Sequence, residues 1–268
     1  MIRHIFLITQ FELQRLFSTQ KGLLYLITFA VVWLLILFYP IRIAADFFSQ
    51  TNPAHGNLFF EFIGMGSLTN WQVAEFGVYW RFALFLFPML SIIIAADQTS
   101  SDRDRGTLRF LILRTSRDSL FFGRFTAVMF IQALMMIITL ATTFLLSLYR
   151  DNSVFLAAFN SAIAISVNML IILLPFTALM ATLSAAFNSA RQSTIWAILI
   201  LVFSAGVINL LSSYLPVLDV LKAFVPGYYS DELAHLAEWE PLQLAYASLL
   251  QTVVFLALGR WIMMRQSL

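Results

Sequence analysis

The chain lacks cysteine altogether and is poor in charge. None of its 268 residues is Cys, and only 11% are Asp, Glu, Lys or Arg. The absence of Cys excludes disulfides, thiolate metal sites and cysteine nucleophiles. Hydrophobic residues make up 60% of the chain, whereas soluble domains hold roughly 45–50%. Because so few polar side chains cannot cover a soluble surface, the composition predicts an integral membrane protein.

Sequence motifs for catalysis are missing as well. No glycine begins the pattern Gly-x-x-x-x-Gly-Lys-Ser/Thr, so the chain has no phosphate-binding loop for ATP. There is no Gly-x-Ser-x-Gly motif, and His4, His55 and His235 lie outside every apolar run, which argues against an intramembrane serine or zinc protease. The net charge of +2 is too small to suggest a nucleic-acid partner. We therefore predict that the chain is not an enzyme and itself binds no metal or cofactor.

Six apolar runs are long enough to cross a bilayer, for which about 20 mostly apolar residues are needed. In chain order they are Leu23–Tyr39, Val78–Ala96, Phe121–Leu148, Val154–Phe187, Ile195–Leu215 and Leu242–Met264. We call them spans one to six. Span four is longer than one crossing requires, and Pro175 predicts a break within it. The runs predict an all-α polytopic membrane protein with one transmembrane domain over residues 1–268.

Lys and Arg residues are concentrated on one side of the predicted spans. With the N-terminus inside, the inner side holds Arg3, Arg15, Lys21, Arg103, Arg105, Arg109, Arg114, Arg117, Arg124, Arg191, Arg260 and Arg265. The outer side holds only Arg42, Arg150 and Lys222, while Arg81 lies within span two, where it either extends to the headgroups or faces a substrate. Since short cytoplasmic loops carry the excess of positive charge, we expect both termini in the cytoplasm and the chain in the cytoplasmic (inner) membrane.

Three segments do not span. Residues 1–21 alternate apolar side chains with charged ones, among them Glu12 and Arg15, which is typical of a helix in the membrane interface. The outer loop Pro40–Gly77 reads as irregular. The outer segment 216–241 is too apolar for a free loop and too short to cross twice, so we expect shallow or re-entrant helices that turn at Pro226-Gly227.

Uncharged polar side chains recur within the spans. Those that could line a translocation surface are Gln132, Thr139, Asn160, Asn168, Asn209 and Gln251. Asn160 and Asn168 are eight residues apart, close to two helical turns, and therefore share a face. Such groups either hydrogen-bond between helices or form a semi-polar path for a substrate, and the sequence leaves both interpretations open. No Asp or Glu lies near the middle of a span, which argues against an ion-coupled carrier.

Six of the 16 Lys and Arg residues fall between Ser100 and Phe125. We call the loop 97–118, between spans two and three, the arginine loop. Leu108, Leu111 and Ile112 predict an apolar stripe on a short helix, and Ser116 predicts the N-cap of span three, with Asp118 in its first turn. By charge alone, the loop could set topology and bind anionic lipid headgroups, or it could be a docking surface for another protein.

The order of residues in this loop resembles the corresponding loop of ABC-2-type transporter permeases. The stretch Asp102-Arg103-Asp104-Arg105-Gly106-Thr107-Leu108 matches the family's acidic-basic pairs that lead into Gly-Thr-Leu, and Thr115-Ser116-Arg117 and Gly123-Arg124 match its later elements. Asp stands here for the usual Glu, Arg124 for the usual Lys, and Thr115 for the usual Pro. Phe11-Glu12-Leu13 resembles the family's elbow helix, and Ala223–Tyr229 resembles its outer helical hairpin.

The resemblance implies the permease subunit of an ATP-driven exporter, with two copies of a separate ABC ATPase that bind ATP and Mg²⁺, and with a second permease chain of the same or another kind. It implies an elbow helix over 1–21 with Glu12 and Arg15, a coupling helix within 97–118, and an outer hairpin over 216–241. The ATPase is expected to dock on residues 98–117, chiefly Asp102, Arg103, Asp104, Arg105, Gly106, Thr107, Leu108 and Arg109. A membrane scaffold or assembly factor that binds a partner without transport remains the alternative, and the substrate is not indicated.

Overall fold

A computed structural model of the protein describes residues 2–43, 71–212, 214 and 222–265. Of these described residues 88% are helical, and none lies in a β-strand. Within this part, six helices are long and apolar enough to cross a membrane: Gly22–Ile41, Ala74–Ala95, Arg117–Arg150, Asn152–Ala186, Ala190–Ile208 and Glu240–Arg265. They coincide with the six predicted runs. The prediction of an all-α, multi-pass membrane protein is therefore confirmed.

Several spans combine more than one type of helix. Span one is an α-helix over Gln20–Ile36 that ends in a π-helical turn, Leu37–Ile41. Spans two and three are the α-helices Ala74–Ala95 and Arg117–Arg150. Span four begins with the 3-10 turn Asn152–Val154 and continues as the α-helix Phe155–Ala186. Span five is Ala190–Ser212, and span six joins the 3-10 turn Glu240–Leu244 to the α-helix Ala245–Arg265.

The predicted break at Pro175 is wrong, because the α-helix of span four runs without interruption from Phe155 to Ala186. A proline removes one backbone hydrogen bond, but membrane helices tolerate this loss where neighbouring helices surround the site. Pro175 is buried in this way, and so is Pro88 within span two. Burial among other spans, which the sequence does not reveal, accounts for the continuous helix.

Span four is the centre of the bundle. In the most apolar stretch of each span, 67% of span four is buried, against 50% of span two, 44% of span three and only 12–22% of spans one, five and six. The largest fully buried side chains, Phe76, Tyr79, Trp80 and Phe87, all come from span two. Trp33 of span one packs edge-on against Tyr79, with ring centroids 4.9 Å apart. The core therefore lies between spans two, three and four.

The helix Ile2–Ser18 precedes span one and lies against the start of span three. A methyl group added at Gly123 would come within 3.2 Å of the Ile8 side chain, so the two helices are in close contact here and Ile8 would have to shift by a few tenths of an ångström to admit it. Its exposed side carries Phe6, Leu7, Phe11 and Phe17, the apolar face expected of a helix at a membrane interface. Thr19 is the N-cap of span one, and its side chain accepts a 3.2 Å hydrogen bond from the backbone amide of Gly22.

The arginine loop contains two short helices, Ser100–Asp104 and Leu108–Arg114. They are joined by a turn in which Gly106 has a φ of 70°, a conformation that favours glycine. The predicted N-cap of span three is confirmed, since the Ser116 side chain accepts a hydrogen bond from the amide of Ser119 and the helix begins at Arg117. We call the end of the bundle that carries this loop the loop end.

At the opposite end of the bundle, a non-spanning segment leads into span six. The expected turn at Pro226-Gly227 is present, and Gly227 has a φ of 81°. A short helix, Ser230–His235, follows, and Glu238 also has a positive φ, 49°. Residues 44–70 and 215–221 lie outside the described part, so most of the predicted loop Pro40–Gly77 and the first arm of the predicted hairpin lie there too.

Candidate functional site

The first helix of the arginine loop is fixed to the end of span four. The Ser184 side chain accepts hydrogen bonds from the backbone amides of Thr99 and Ser100, at 2.8 and 3.1 Å. Arg103 donates from its guanidinium to the carbonyl of Phe187, at 3.3 Å, where span four ends. Partial burial lowers the pKa of this guanidinium from its usual value. This side of the loop is therefore anchored to the core helix.

Asp102 points into the protein. Its carboxylate pairs with Arg124 of span three, and it accepts a hydrogen bond from the Thr107 hydroxyl at 3.0 Å. Arg124 is itself buried, with 6% of its side chain exposed, and its Nε lies 3.6 Å from the carboxylate of Glu12. Asp102 thus joins the loop to the start of span three.

These contacts belong to a larger group of charges at the loop end. Arg15 lies 3.4 Å from both Glu12 and Asp97, the first residue of the arginine loop. We call Glu12, Arg15, Asp97, Asp102 and Arg124 the ion-pair network. It connects three segments: the helix Ile2–Ser18, the arginine loop and span three. The predicted elbow residues Glu12 and Arg15 are both members, so their charges face the protein.

The second helix of the loop has one buried and one exposed side. Leu108 is buried in a cluster with Leu120 and Met263, and Leu111 and Ile112 pack against that cluster, which confirms the predicted apolar stripe. The exposed side carries two large apolar residues, Phe110 and Leu113, which are 71% and 84% exposed. Together with the preceding turn it forms what we call the exposed face: Asp104, Arg105, Arg109, Phe110, Leu113 and Arg114. Three arginines against one aspartate make this face positive.

The far end of the loop is attached to span six. Arg117 donates to the backbone carbonyls of Met263 and Met264, at 2.9 and 3.1 Å, near the C-terminal end of that helix. Asp118 accepts two hydrogen bonds from Arg260, at 2.9 and 3.0 Å. The loop therefore contacts spans three, four and six at once, and a displacement of the loop would act on all three.

Two of the predicted translocation residues lie in the core. Gln132 of span three donates to Ser91 of span two at 2.6 Å and accepts from Thr177 of span four at 3.3 Å. The hydroxyls of Thr139 and Tyr79 are 2.9 Å apart and link spans two and three. All of these groups are buried, so in this conformation they bond to one another across helices.

The others lie toward the end opposite the loop. Asn168 donates to the backbone carbonyl of Glu238 at 2.7 Å, and Asn160 donates to the carboxylate of the same residue at 3.2 Å. The prediction that the two amides share a face is thereby confirmed. Gln251 donates to the carbonyl of Ala223 at 2.7 Å. These side chains hold the segment before span six, whereas the side chain of Asn209 lies outside what the structure describes.

Sequence reasoning missed one ion pair at this end of the bundle. Glu75, in the first turn of span two, is completely buried, and its two oxygens accept from Arg150 at the end of span three, at 2.7 and 3.1 Å. Opposite charges at the adjoining ends of two consecutive antiparallel helices are the signal that could have indicated it. Glu238 was missed as well, and no local pattern marks it.

No metal site is evident in the described residues, which contain no group of three or more His, Asp or Glu side chains that could hold an ion. In the described part of the chain, the groups gathered at the loop end are ion pairs, hydrogen bonds and an exposed positive and apolar face.

A family model matches most of the chain. The model of the family described as ABC-2 family transporter protein matches residues 19–268, that is, everything after the helix Ile2–Ser18. No curated protein matches the chain. With the six candidate spans and the loop between spans two and three, this match shows that the chain belongs to the ABC-2 family of membrane transporter proteins.

Proposed function

We propose that the chain is the permease subunit of an ABC transporter that exports a substrate from the cytoplasm or the inner leaflet, driven by a separate ATPase that docks on the exposed face. Family membership implies an ABC ATPase as partner. The chain has no phosphate-binding loop of its own, so ATP and Mg²⁺ would be bound by that partner.

One observation carries the docking proposal: the second helix of the arginine loop exposes Phe110 and Leu113 while its other side is buried. Two large apolar side chains on a short helix, set among arginines, are what a helix that lies in a groove presents to its partner. The surrounding Arg105, Arg109 and Arg114 fit a groove rimmed with acidic side chains. The rigid attachment on the other side would carry the partner's movement into the bundle.

The proposed function also implies an orientation in the membrane and a partner permease chain. The excess of Lys and Arg at the loop end supports a cytoplasmic position for that end, where ATP is available, and we propose that the membrane is the inner membrane. Spans one and five expose most of their surface, and we propose that part of it contacts a second permease chain, with one ATPase for each permease. The remaining apolar surface would face membrane lipids.

The test is co-purification followed by ATP hydrolysis. The chain is expressed in its native membrane, purified by an affinity tag, and the retained subunits are identified by mass spectrometry. A partner with an ATP-binding motif and ATPase activity is expected. Replacing both Phe110 and Leu113 with Ser should weaken binding by roughly a thousandfold, because two buried anchor residues at about 2 kcal/mol each contribute about 4 kcal/mol.

Arg191 supplies a matched control, since it is an exposed arginine at the start of span five. Arg105→Glu should reduce the retained ATPase, and Arg191→Glu should not. If Arg105→Glu, Phe110→Ser and Leu113→Ser all leave the retained ATPase unchanged, docking on the exposed face is wrong. Export is tested separately in inverted vesicles supplied with ATP, and a complex that hydrolyses ATP but moves no candidate substrate would favour the scaffold alternative.

A further inference from the structure

Arg124 is a buried cation that does not use all of its donors. Only 6% of its side chain is exposed, yet its Nε and Nη1 have no hydrogen-bond partner. Its Nη2 is paired with Asp102. An unpaired donor on a buried charge is costly, and a purely structural arginine would be expected to have its guanidinium fully bonded. The unpaired nitrogens therefore call for a partner.

That partner lies just out of reach. The Glu12 carboxylate is 3.6 Å from Arg124 Nε, which is beyond hydrogen-bond distance by about half an ångström. Glu12 belongs to the helix Ile2–Ser18, whereas Asp102 belongs to the arginine loop. The planar guanidinium of Arg presents its donors in a fixed fork and so can serve two carboxylates on different sides. Arg124 thus lies between the arginine loop, to which it is hydrogen-bonded, and the helix Ile2–Ser18, with which it forms a longer ion pair.

Building on the proposed function, we propose that Arg124 is a positioning residue that couples the arginine loop to the helix Ile2–Ser18. When the ATPase moves the loop, Asp102 shifts the guanidinium, and Glu12 closes onto Nε. The helix Ile2–Ser18 then moves with the start of span three. In the structure Arg124 is hydrogen-bonded to Asp102, whereas its ion pair with Glu12, at 3.6 Å, lacks a hydrogen bond; we take this as one of two arrangements.

Neighbouring contacts support this coupling. Arg15 already holds Glu12 and Asp97 at 3.4 Å, so Glu12 is restrained but not fixed by a short bond. Ile8 packs on Gly123, one residue before Arg124, so the helix and span three are in direct contact beside the pair. A shift of Arg124 would therefore act on the helix Ile2–Ser18 through both the ion pair with Glu12 and the packing of Ile8 on Gly123.

The absence of native cysteine makes the test direct. A single Cys replaces Gln14, an exposed residue on the helix Ile2–Ser18, and carries an environment-sensitive fluorophore. The labelled chain is purified with its ATPase, placed in lipid nanodiscs, and trapped with ATP and vanadate. The measured quantity is the change in emission on trapping, with the retained ATPase and the rate of ATP hydrolysis recorded for the same samples.

Three variants are compared with the wild-type chain: Arg124→Gln, Arg124→Lys and Glu12→Gln. Arg124→Gln should still co-purify with the ATPase subunit but should show no emission change. Its rate of ATP hydrolysis should be about tenfold lower than that of the wild type, which is in the usual range of coupling between sites. Arg124→Lys keeps the charge and the fold but has no fork, so it should also lose most of the emission change. Glu12→Gln should retain the ATPase and lose the emission change. Arg191→Gln serves as the matched control and should behave as the wild type.

An emission change of wild-type size in Arg124→Gln or in Glu12→Gln would overturn the proposal, as would full function of Arg124→Lys. If Arg124→Gln does not fold, Arg124→Lys and Glu12→Gln decide the question. Failure of the proposed function looks different, because the wild-type chain would then retain no ATPase at all.

Discussion

The ion pair between Glu75 and Arg150 predicts a large loss of stability when only one partner is removed. The Glu75 side chain is completely buried, whereas that of Arg150 is 26% exposed. Replacing Arg150 with Met leaves an uncompensated carboxylate inside the bundle, and breaking a buried pair in this way costs about 3–5 kcal/mol. Because water reaches Arg150, we expect the lower end, about 3 kcal/mol, or roughly a hundredfold in the folding equilibrium.

The measurement is reversible unfolding in mixed micelles with increasing denaturing detergent, followed by the fluorescence of the six tryptophans. The double variant Glu75→Gln with Arg150→Met removes both charges. Its free energy of unfolding should lie within about 1 kcal/mol of the wild-type value, because no buried charge remains. Arg191→Met, at an exposed site, should change stability by less than about 0.5 kcal/mol. If Arg150→Met costs no more than Arg191→Met, the pair does not hold spans two and three together and the reasoning is refuted.

Two further predictions concern packing and hydrogen bonding within the bundle. A methyl group at Gly259 would lie 2.6 Å from the ring of Phe121, so Gly259→Ala should lower the free energy of unfolding by about 1–3 kcal/mol. The control is Gly206→Ala, where the added methyl group meets open space and should be neutral or slightly stabilising. Equal effects at the two sites would contradict the close packing of span six at Gly259. Gln132→Leu removes the amide that donates to Ser91 and should cost about 1–3 kcal/mol through the hydroxyls left unpaired. A loss of transport per folded molecule without any loss of stability would instead favour a translocation role for Gln132.

Features that depend on neighbouring residues were predictable from the sequence. The six spans follow from the length and hydropathy of single runs, because a helix in lipid satisfies its own backbone hydrogen bonds. Ser116 could be named as an N-cap because capping involves a residue only three positions away. The turn at Pro226-Gly227 follows from the conformational freedom of glycine, and Gly227 has a φ of 81°. In each case the cause lies within one or two helical turns.

The side of the loop on which a residue lies could not be predicted in this way. Asp102 and Asp104 are two positions apart and chemically identical, yet one is bonded to Arg124 and the other is exposed. The difference is set by span three and by how the loop folds back on it. The pairing of Glu75 with Arg150 likewise joins residues that are far apart in the chain. Such contacts require the arrangement of the bundle, which one sequence does not supply.

The Glu75–Arg150 pair also limits how spans two and three can move. These two helices are linked covalently through the arginine loop at one end and by the ion pair at the other. Sliding one helix along the other would break the ion pair, whereas a tilt of the two helices together about this end would preserve it. For a helix of 34 residues, about 50 Å long, a tilt of about 5° moves the far end by roughly 4 Å. The loop end would then sweep the widest arc, and the end with Glu75 would remain almost stationary.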